Sequence, residues 1–136
     1  MDVLSHPELG RTDAGIDHVM AEQAADNRVA IAITLRRLLT VAGKDRSHIL
    51  SHMRRNIRLA QEFDAPVIAT SGATAAIRMR APRELAAFPR VLGMDIGPGF
   101  DTVSTVPRRI LERADRVMSD EFVRPGVEMV EGDPDG

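Results

Sequence analysis

The stretch APVIATSGATAAIRMRAPREL, residues 65–85, joins a short apolar run to a glycine turn and then to a helical pattern. The run at 66–70 has the length and composition of a strand buried on both faces, as in a parallel sheet. Ser71 and Gly72 form the turn that follows it, and Pro82 suits the first turn of a helix. The stretch therefore predicts one β-α unit, with arginines concentrated between its strand and its helix.

The same alternation extends toward both ends of the chain. Apolar runs predict further strands at 2–6 and 29–34, and helical spacing predicts helices at 15–26, 44–64 and 107–118. Short buried strands that alternate with helices are typical of a parallel sheet with right-handed crossovers. Three strands are too few to close a barrel of eight β-α units. The predicted fold class is therefore α/β, with parallel β-α repeats that form the second half of a barrel-type domain.

The chain is predicted to divide at the end of its last helix. Residues 1–118 form the folded domain, and Ile110, Leu111, Ala114 and Val117 of the last helix are predicted to face inward. Residues 119–136 contain six acidic residues, two prolines and three glycines without periodicity. We interpret them as a disordered acidic tail.

Composition excludes several classes of protein. No apolar run approaches the roughly 20 residues of a membrane helix, and the first residues lack the pattern of a signal peptide. Cysteine is absent, which excludes a disulfide scaffold and a cysteine zinc site and fits a cytoplasmic protein. Tryptophan and tyrosine are also absent, so aromatic platforms for stacking nucleobases are not expected.

Positive charge is concentrated in the middle of the chain. Residues 1–35 hold two arginines against six acidic residues, and residues 117–136 hold one arginine against six. Between them, residues 36–116 hold fourteen arginines and one lysine against eight acidic residues. Arginine presents a planar fork of donors that suits phosphate, whereas lysine is a point charge. Codon bias or adaptation to salt accounts equally well for the excess of arginine, but not for its position.

The predicted helix at 44–64 separates apolar and basic residues into two stripes. These are Leu50, Met53, Ile57 and Ala60 on one side, and Ser51, Arg54, Arg55 and Arg58 roughly 120° away. A charged stripe is usually just a solvated face, but such faces mix signs to gain pairs four residues apart. Here only Glu62 is near the arginines, so an anion is an alternative partner.

Four segments together resemble a known family. They are GIDHVMAEQAADNRVAIAITLRRLL (15–39), SHMRRNIRLAQEFDAPVIATSGA (51–73), RAPRELAAFPRVLGM (80–94) and TVPRRILER (105–113). In order and spacing they are similar to RNase P protein component 3, the archaeal counterpart of the 30 kDa subunit of RNase P and RNase MRP. The resemblance covers residues 2–116.

The resemblance implies a TIM-barrel-like fold distantly related to the PHP phosphoesterases, and a role in removing the 5′ leader of precursor tRNA. In such an enzyme the RNA and its Mg²⁺ carry the cleavage, so no catalytic residue, metal site or cofactor is expected in this chain. The implied partners are RNase P RNA, precursor tRNA, RNase P protein component 2 and the other RNase P proteins.

The chain departs from the family pattern in four respects, one of which is that Arg37 stands where many members carry a proline. The N-terminal half of the family's barrel is missing. Pro89 lies inside a predicted helix, where proline removes a hydrogen bond, so a kink or short break is expected there. Gly-Pro-Gly within DIGPGFD, residues 95–101, argues against the small helix that the family has at this point.

The resemblance and the charge pattern together predict RNA contact at the ends of the strands and along one helix. The predicted contacts are Arg36, Arg54, Arg55, Arg58, Arg78, Arg80, Arg83 and Arg108, with Arg109 as a further candidate. Ser71 and Gly72 are predicted to offer backbone N–H groups to a phosphate, next to the helix that begins at Pro82. The alternative is that Ser71–Gly72 is only a tight turn and that Arg80 pairs with Glu84.

Two other interpretations remain open from the sequence. The first is a metal-dependent, PHP-like phosphoesterase, whose ligands would come from His6, Asp13, Asp17, His18, His48 and His52. The second is a truncated, non-functional fragment, because three parallel strands leave two edges and one face of the sheet uncovered.

Overall fold

A computed structural model describes residues 1–119, 122–124 and 127–128. Its sheet contains three parallel strands in sequential order, β1 (Val3–Ser5), β2 (Ala30–Thr34) and β3 (Val67–Thr70). Leu4 lies opposite Ile31, and Ile33 lies opposite Ala69. The predicted parallel β-α arrangement is therefore confirmed. The carboxyl ends of the three strands lie at the same end of the sheet.

Helices connect the strands and continue beyond them. Helix α1 (His18–Asp26) joins β1 to β2, whereas α2 (Leu35–Leu39) and α3 (Gly43–Glu62) join β2 to β3. Three more helices follow β3, and they are α4 (Pro82–Val91), α5 (Ile96–Asp101) and α6 (Thr105–Val117).

The core lies between the sheet and helices α1, α3 and α4. All five residues of β2 are buried, as its unbroken apolar run predicts. Met53, Ile57 and Ala60 of α3 are buried against this sheet, so the predicted apolar stripe of that helix is confirmed. Asn56 is buried among them, and its Nδ2 donates to the carbonyl oxygen of Ala14 at 2.8 Å. This bond fastens the loop after β1 to α3.

Two helices and one proline differ from the sequence prediction. Helix α2 begins directly after β2 and was not predicted, and α5 forms in spite of its Gly-Pro-Gly. Gly99 allows a close approach to α4, because a Cβ on it would lie 3.1 Å from Cγ of Arg90 and 3.4 Å from the carbonyl oxygen of Ala86. Helix α4 is continuous through Pro89, so the expected break is absent. Only two helical residues follow Pro89, and its ring is fully buried.

Helix α6 contacts the segments that precede β1 and β2. Arg113 forms an ion pair with Asp2 and donates to the carbonyl oxygen of Arg28, so α6 lies at the N-terminal ends of β1 and β2. The prediction that Leu111 and Val117 face inward is wrong, because both are exposed.

The edges of the sheet differ in their surroundings. At the β3 edge the N–H of Ala69 donates to the carbonyl oxygen of Thr102 at 3.1 Å, so the segment before α6 covers part of it. Strand β1 pairs with β2 alone among the described residues. No helix in the part of the chain that the structure describes is long and apolar enough to cross a membrane.

Two short antiparallel strands lie within the predicted disordered tail. They are β4 (Phe122–Arg124) and β5 (Val127–Glu128), so the prediction of no regular structure is wrong for these five residues. The rest of the predicted tail beyond residue 119 lies outside the described residues.

Candidate nucleic-acid interface

The carboxyl ends of β2 and β3 bring three of the predicted residues together. The N–H of Arg36 donates to the carbonyl oxygen of Ser71 at 3.1 Å, which ties the start of α2 to the turn after β3. The hydroxyls of Thr34 and Thr70, the last residues of β2 and β3, lie 3.3 Å apart. Arg36, Ser71 and the adjoining Gly72 therefore share one rim of the sheet, as predicted.

Gly72 is required for this contact between the turn and α2. Its φ is +61°, and a Cβ there would lie 2.3 Å from Cγ2 of Thr34 and 3.1 Å from Cβ of Arg36. The hydroxyl of Ser71 accepts from the N–H of Ala73 at 3.3 Å, so that donor is already used within the turn. Close packing therefore gives a physical reason for Gly72 that involves no anion.

The connection from β3 to α4 presents three predicted arginines to solvent. Arg78 ends a short 3-10 turn at Ala76–Arg78, Arg80 follows it, and Arg83 lies in the first turn of α4. Glu84 does not pair with Arg80. Its carboxylate accepts instead from the N–H of Ala81 at 3.4 Å. Because the carboxylate lies at the start of α4, it competes there with any outside anion.

The basic stripe of α3 lies beside the opposite end of α4. One guanidinium nitrogen of Arg54 donates to the carbonyl oxygen of Val91 at 3.5 Å. Arg54 and Arg58 also line a groove of about 370 Å³ that is closed on its other side by residues 91–93. Arg83 lies at the first end of α4 and Val91 at its last, eight residues apart or about 12 Å along the helix. The predicted contacts at the strand ends and along α3 therefore form two separate clusters.

Arg108 does not join either cluster. It belongs to α6, whose contacts with Asp2 and Arg28 place that helix at the N-terminal ends of the strands. A cavity of about 580 Å³ opens there. Its charged lining residues are the arginines Arg28, Arg109, Arg113 and Arg116 and the acidic residues Asp64 and Glu112. Apart from Arg109, these arginines were not predicted; Arg28 lies far in sequence from the three that belong to α6.

The eight predicted arginines share one property. All of them are exposed, and none forms an ion pair with an acidic side chain among residues 1–119. Those residues include Glu62 and Glu84, the acidic residues nearest in sequence to the arginines of α3 and of the β3–α4 connection. Their charges therefore have no acidic partner among residues 1–119, and the exposed guanidinium groups are accessible to a binding partner.

Residues 1–118 match the model of the family described as RNase P subunit p30. The chain belongs to the RNase P subunit p30 family. The resemblance stated from the sequence segments is therefore confirmed, including its extent.

Curated relatives and a solved structure agree with this membership. Ribonuclease P protein component 3 of Methanosarcina mazei is 37% identical over 98% of this chain and 54% of its own length. The protein of the same name from Methanocaldococcus jannaschii is 37% identical over 96% of this chain and 55% of its own length. A chain in the cryo-EM structure of archaeal ribonuclease P with mature tRNA superimposes with a TM-score of 0.82 at 36% identity, covering 97% of this chain and 56% of that chain. The chain thus spans about half the length of these relatives.

The acidic residues near β1 have local structural partners in this p30-family chain. The carboxylate of Asp17 accepts from the N–H of Met20 at 2.8 Å and caps α1. Asp13 accepts from Nε of Arg11 at 2.7 Å and from the N–H of Gly15 at 2.8 Å. No group of three or more histidine, aspartate or glutamate side chains within the described part could hold a metal ion. The metal ligands considered for a phosphoesterase are therefore not assembled there.

Asp13 leads to a testable pH dependence. The hydrogen bonds from Arg11 and then from the Gly15 N–H lower the pKa of the Asp13 carboxyl from 3.8 to about 2. Because the folded state favours the carboxylate, this interaction stabilises the fold above about pH 4, and the stabilisation is lost as the pH falls through about 2. We expect an NMR titration of the Asp13 carboxyl carbon to give a midpoint near 2.

The matched variant is Arg11→Gln, which removes the charged donor. It should raise the Asp13 midpoint toward its ordinary value. Asp13→Asn should lower the stability of the fold at pH 7, and its difference from wild type should shrink toward pH 2. A wild-type midpoint near 3.8, or a midpoint that does not respond to Arg11→Gln, would show that the pair does not form in solution.

Proposed function

We propose that this chain acts as a protein subunit of archaeal RNase P, which removes the 5′ leader of precursor tRNA. Family membership supports the proposal, together with the likeness to a chain in the solved structure of archaeal ribonuclease P with mature tRNA. The observation that carries it at the level of residues is the set of eight exposed arginines without an acidic partner among residues 1–119. A surface of this kind is suited to a polyanion, and phosphate contacts supply affinity and position rather than sequence readout.

In this proposal two arginine clusters contact the phosphates of RNase P RNA. The rim cluster contains Arg36, Arg78, Arg80 and Arg83, and the α3 cluster contains Arg54, Arg55 and Arg58. Ser71 and Gly72 lie within the rim cluster and offer an anion only those backbone donors that their own turn leaves unused. Arg108 is a separate proposed contact at the other end of the sheet.

The remaining parts of the proposal concern the fold and the partners. The three parallel β-α units form part of a closed TIM-barrel-like domain whose other strands pair with the free edge of β1. RNase P protein component 2 and the other RNase P proteins assemble with this chain in the cytoplasm. Mg²⁺ is bound by the RNA, which carries out the cleavage, and this chain contributes position and charge.

The test is cleavage of precursor tRNA by a reconstituted enzyme. RNase P RNA, Mg²⁺ and the other archaeal RNase P proteins are assembled with and without this chain, and release of the 5′ leader is followed. We expect the chain to increase the rate of leader removal, and we expect the chain with Mg²⁺ but without the RNA to release none. The same leader release with and without a folded, incorporated chain would contradict the proposal. Leader release without the RNA would instead indicate a phosphoesterase.

A further inference from the structure

The connection between β3 and α4 carries two large apolar side chains that the fold leaves in solvent. Ile77 is 91% exposed and Met79 is 67% exposed. Their backbone is held by a 3-10 turn, in which the N–H of Arg78 donates to the carbonyl oxygen of Ala75 and the N–H of Met79 to that of Ala76, both at 3.0 Å. The turn therefore presents both side chains outward in place of packing them on the sheet.

Arginines alternate with these apolar side chains. Arg78 and Arg80 stand on either side of Met79, both are exposed, and neither has an acidic partner within residues 1–119. The nearest acidic residue along the chain, Glu84, is bonded to the N–H of Ala81. A partner for this loop must therefore combine negative charge with apolar surface at a spacing of one residue.

RNA meets this requirement where its bases are unpaired. Each nucleotide joins an anionic phosphate to an apolar base face, and recognition of RNA concentrates on loops and bulges whose bases are unstacked. Isoleucine and methionine side chains serve elsewhere as wedges between bases. A protein partner fits less well, because a stable protein interface buries about 800 Å² on each side around an apolar centre. Here the apolar centre would be two side chains separated by an arginine.

We propose that Ile77 and Met79 contact unpaired nucleobases of RNase P RNA while Arg78 and Arg80 contact the adjacent phosphates. This inference rests on the proposed function and extends it, because the loop would bind unstacked bases as well as backbone phosphates. The chain has no tryptophan or tyrosine, so these aliphatic side chains take the position that aromatic residues hold in many RNA-binding proteins.

The double variant Ile77→Ala/Met79→Ala tests the proposal by RNA binding across a salt series. Both side chains are exposed, so their removal leaves the core intact. We expect the variant to bind RNase P RNA about tenfold more weakly at every salt concentration, since apolar area is lost without any charge. The slope of log affinity against log salt should therefore equal that of wild type. Leu111→Ala is the control, because Leu111 is 64% exposed on α6 at the other end of the sheet.

Two short RNA hairpins make the test specific for bases. Both are closed by a non-nucleotide linker instead of a loop. One is fully paired, and the other carries an internal bulge of unpaired nucleotides. The double variant should weaken binding to the bulged hairpin and leave binding to the paired hairpin unchanged. Equal weakening for both hairpins, or a flatter salt slope, would overturn the proposal.

The remaining outcomes separate this inference from the function on which it rests. If replacing Arg78, Arg80 and Arg83 with alanine weakens RNA binding but the double variant does not, the apolar contact is wrong and the RNase P role stands. If the double variant binds RNA normally but is lost from the complex with RNase P proteins, the loop contacts protein, and the inference is overturned. Absence of RNA binding by the folded wild-type chain would overturn this inference, whereas leader release by the reconstituted enzyme decides the RNase P role.

Discussion

Replacing Gly15 with alanine is expected to lower the free energy of unfolding by about 3–5 kcal/mol. Gly15 has a φ of +80°, and a Cβ there would lie 1.7 Å from the carbonyl oxygen of Pro7 and 2.3 Å from its carbonyl carbon. Both atoms belong to the backbone, so the clash cannot be relieved by rotating a side chain. The loop after β1 would have to move away from α3, to which Ala14 is bonded through Asn56.

Gly10→Ala is the matched control in the same loop. Its φ is +71°, but no atom lies within 4 Å of the position that a Cβ would take. This substitution therefore adds left-handed backbone strain without a clash, and it should cost only about 1–2 kcal/mol. Chemical denaturation of the two variants measures the difference. Equal destabilisation would mean that Pro7 and Gly15 are not in contact in solution.

Replacing Arg78, Arg80 and Arg83 together with alanine should produce the largest effect on RNA binding. These side chains lie on one connection, are exposed, and have no ion pair within residues 1–119. Each arginine that contacts a phosphate adds about 0.7–0.9 to the magnitude of the salt slope, because it releases counterions from the RNA. The triple variant should therefore lower that slope by about 2–3 and weaken binding most at low salt.

The matching control retains the charge. Lysine at the same three positions keeps three cations but loses the planar fork, so the salt slope should stay within about one unit of wild type while affinity falls. Circular dichroism of all three proteins checks that the fold is retained. A triple alanine variant with the wild-type slope would show that these arginines do not contact phosphate.

Strands and long helices of this fold could be predicted from the sequence because their signals are local. The unbroken apolar run at Ala30–Thr34 and the two stripes of Gly43–Glu62 fix element type and orientation with no tertiary information. The short helix Leu35–Leu39 could not be separated from β2, because it follows the strand without a turn residue between them. Helix Ile96–Asp101 was missed since packing against α4 outweighs the low helix propensity of Gly-Pro-Gly.

The sequence likewise predicts some features of the candidate site and not others. Exposure of the arginines follows from the charge pattern, and the neighbourhood of Arg36 and Ser71 follows from parallel strands that end at one edge. The bond from Arg54 to the carbonyl oxygen of Val91 spans 37 residues of sequence, and no periodicity predicts it. The cavity near α6 likewise combines Arg28 with Arg113, which only the docking of that helix brings together.

The measurement that tests the central claim most directly is the affinity of the folded wild-type chain for RNase P RNA across a salt series. We expect log affinity to fall linearly with log salt, with a slope of about −3 or steeper if at least four of the proposed arginines contact phosphate. A folded chain that does not bind the RNA, or that binds with a slope near zero, would contradict an RNA-contacting role for these arginines.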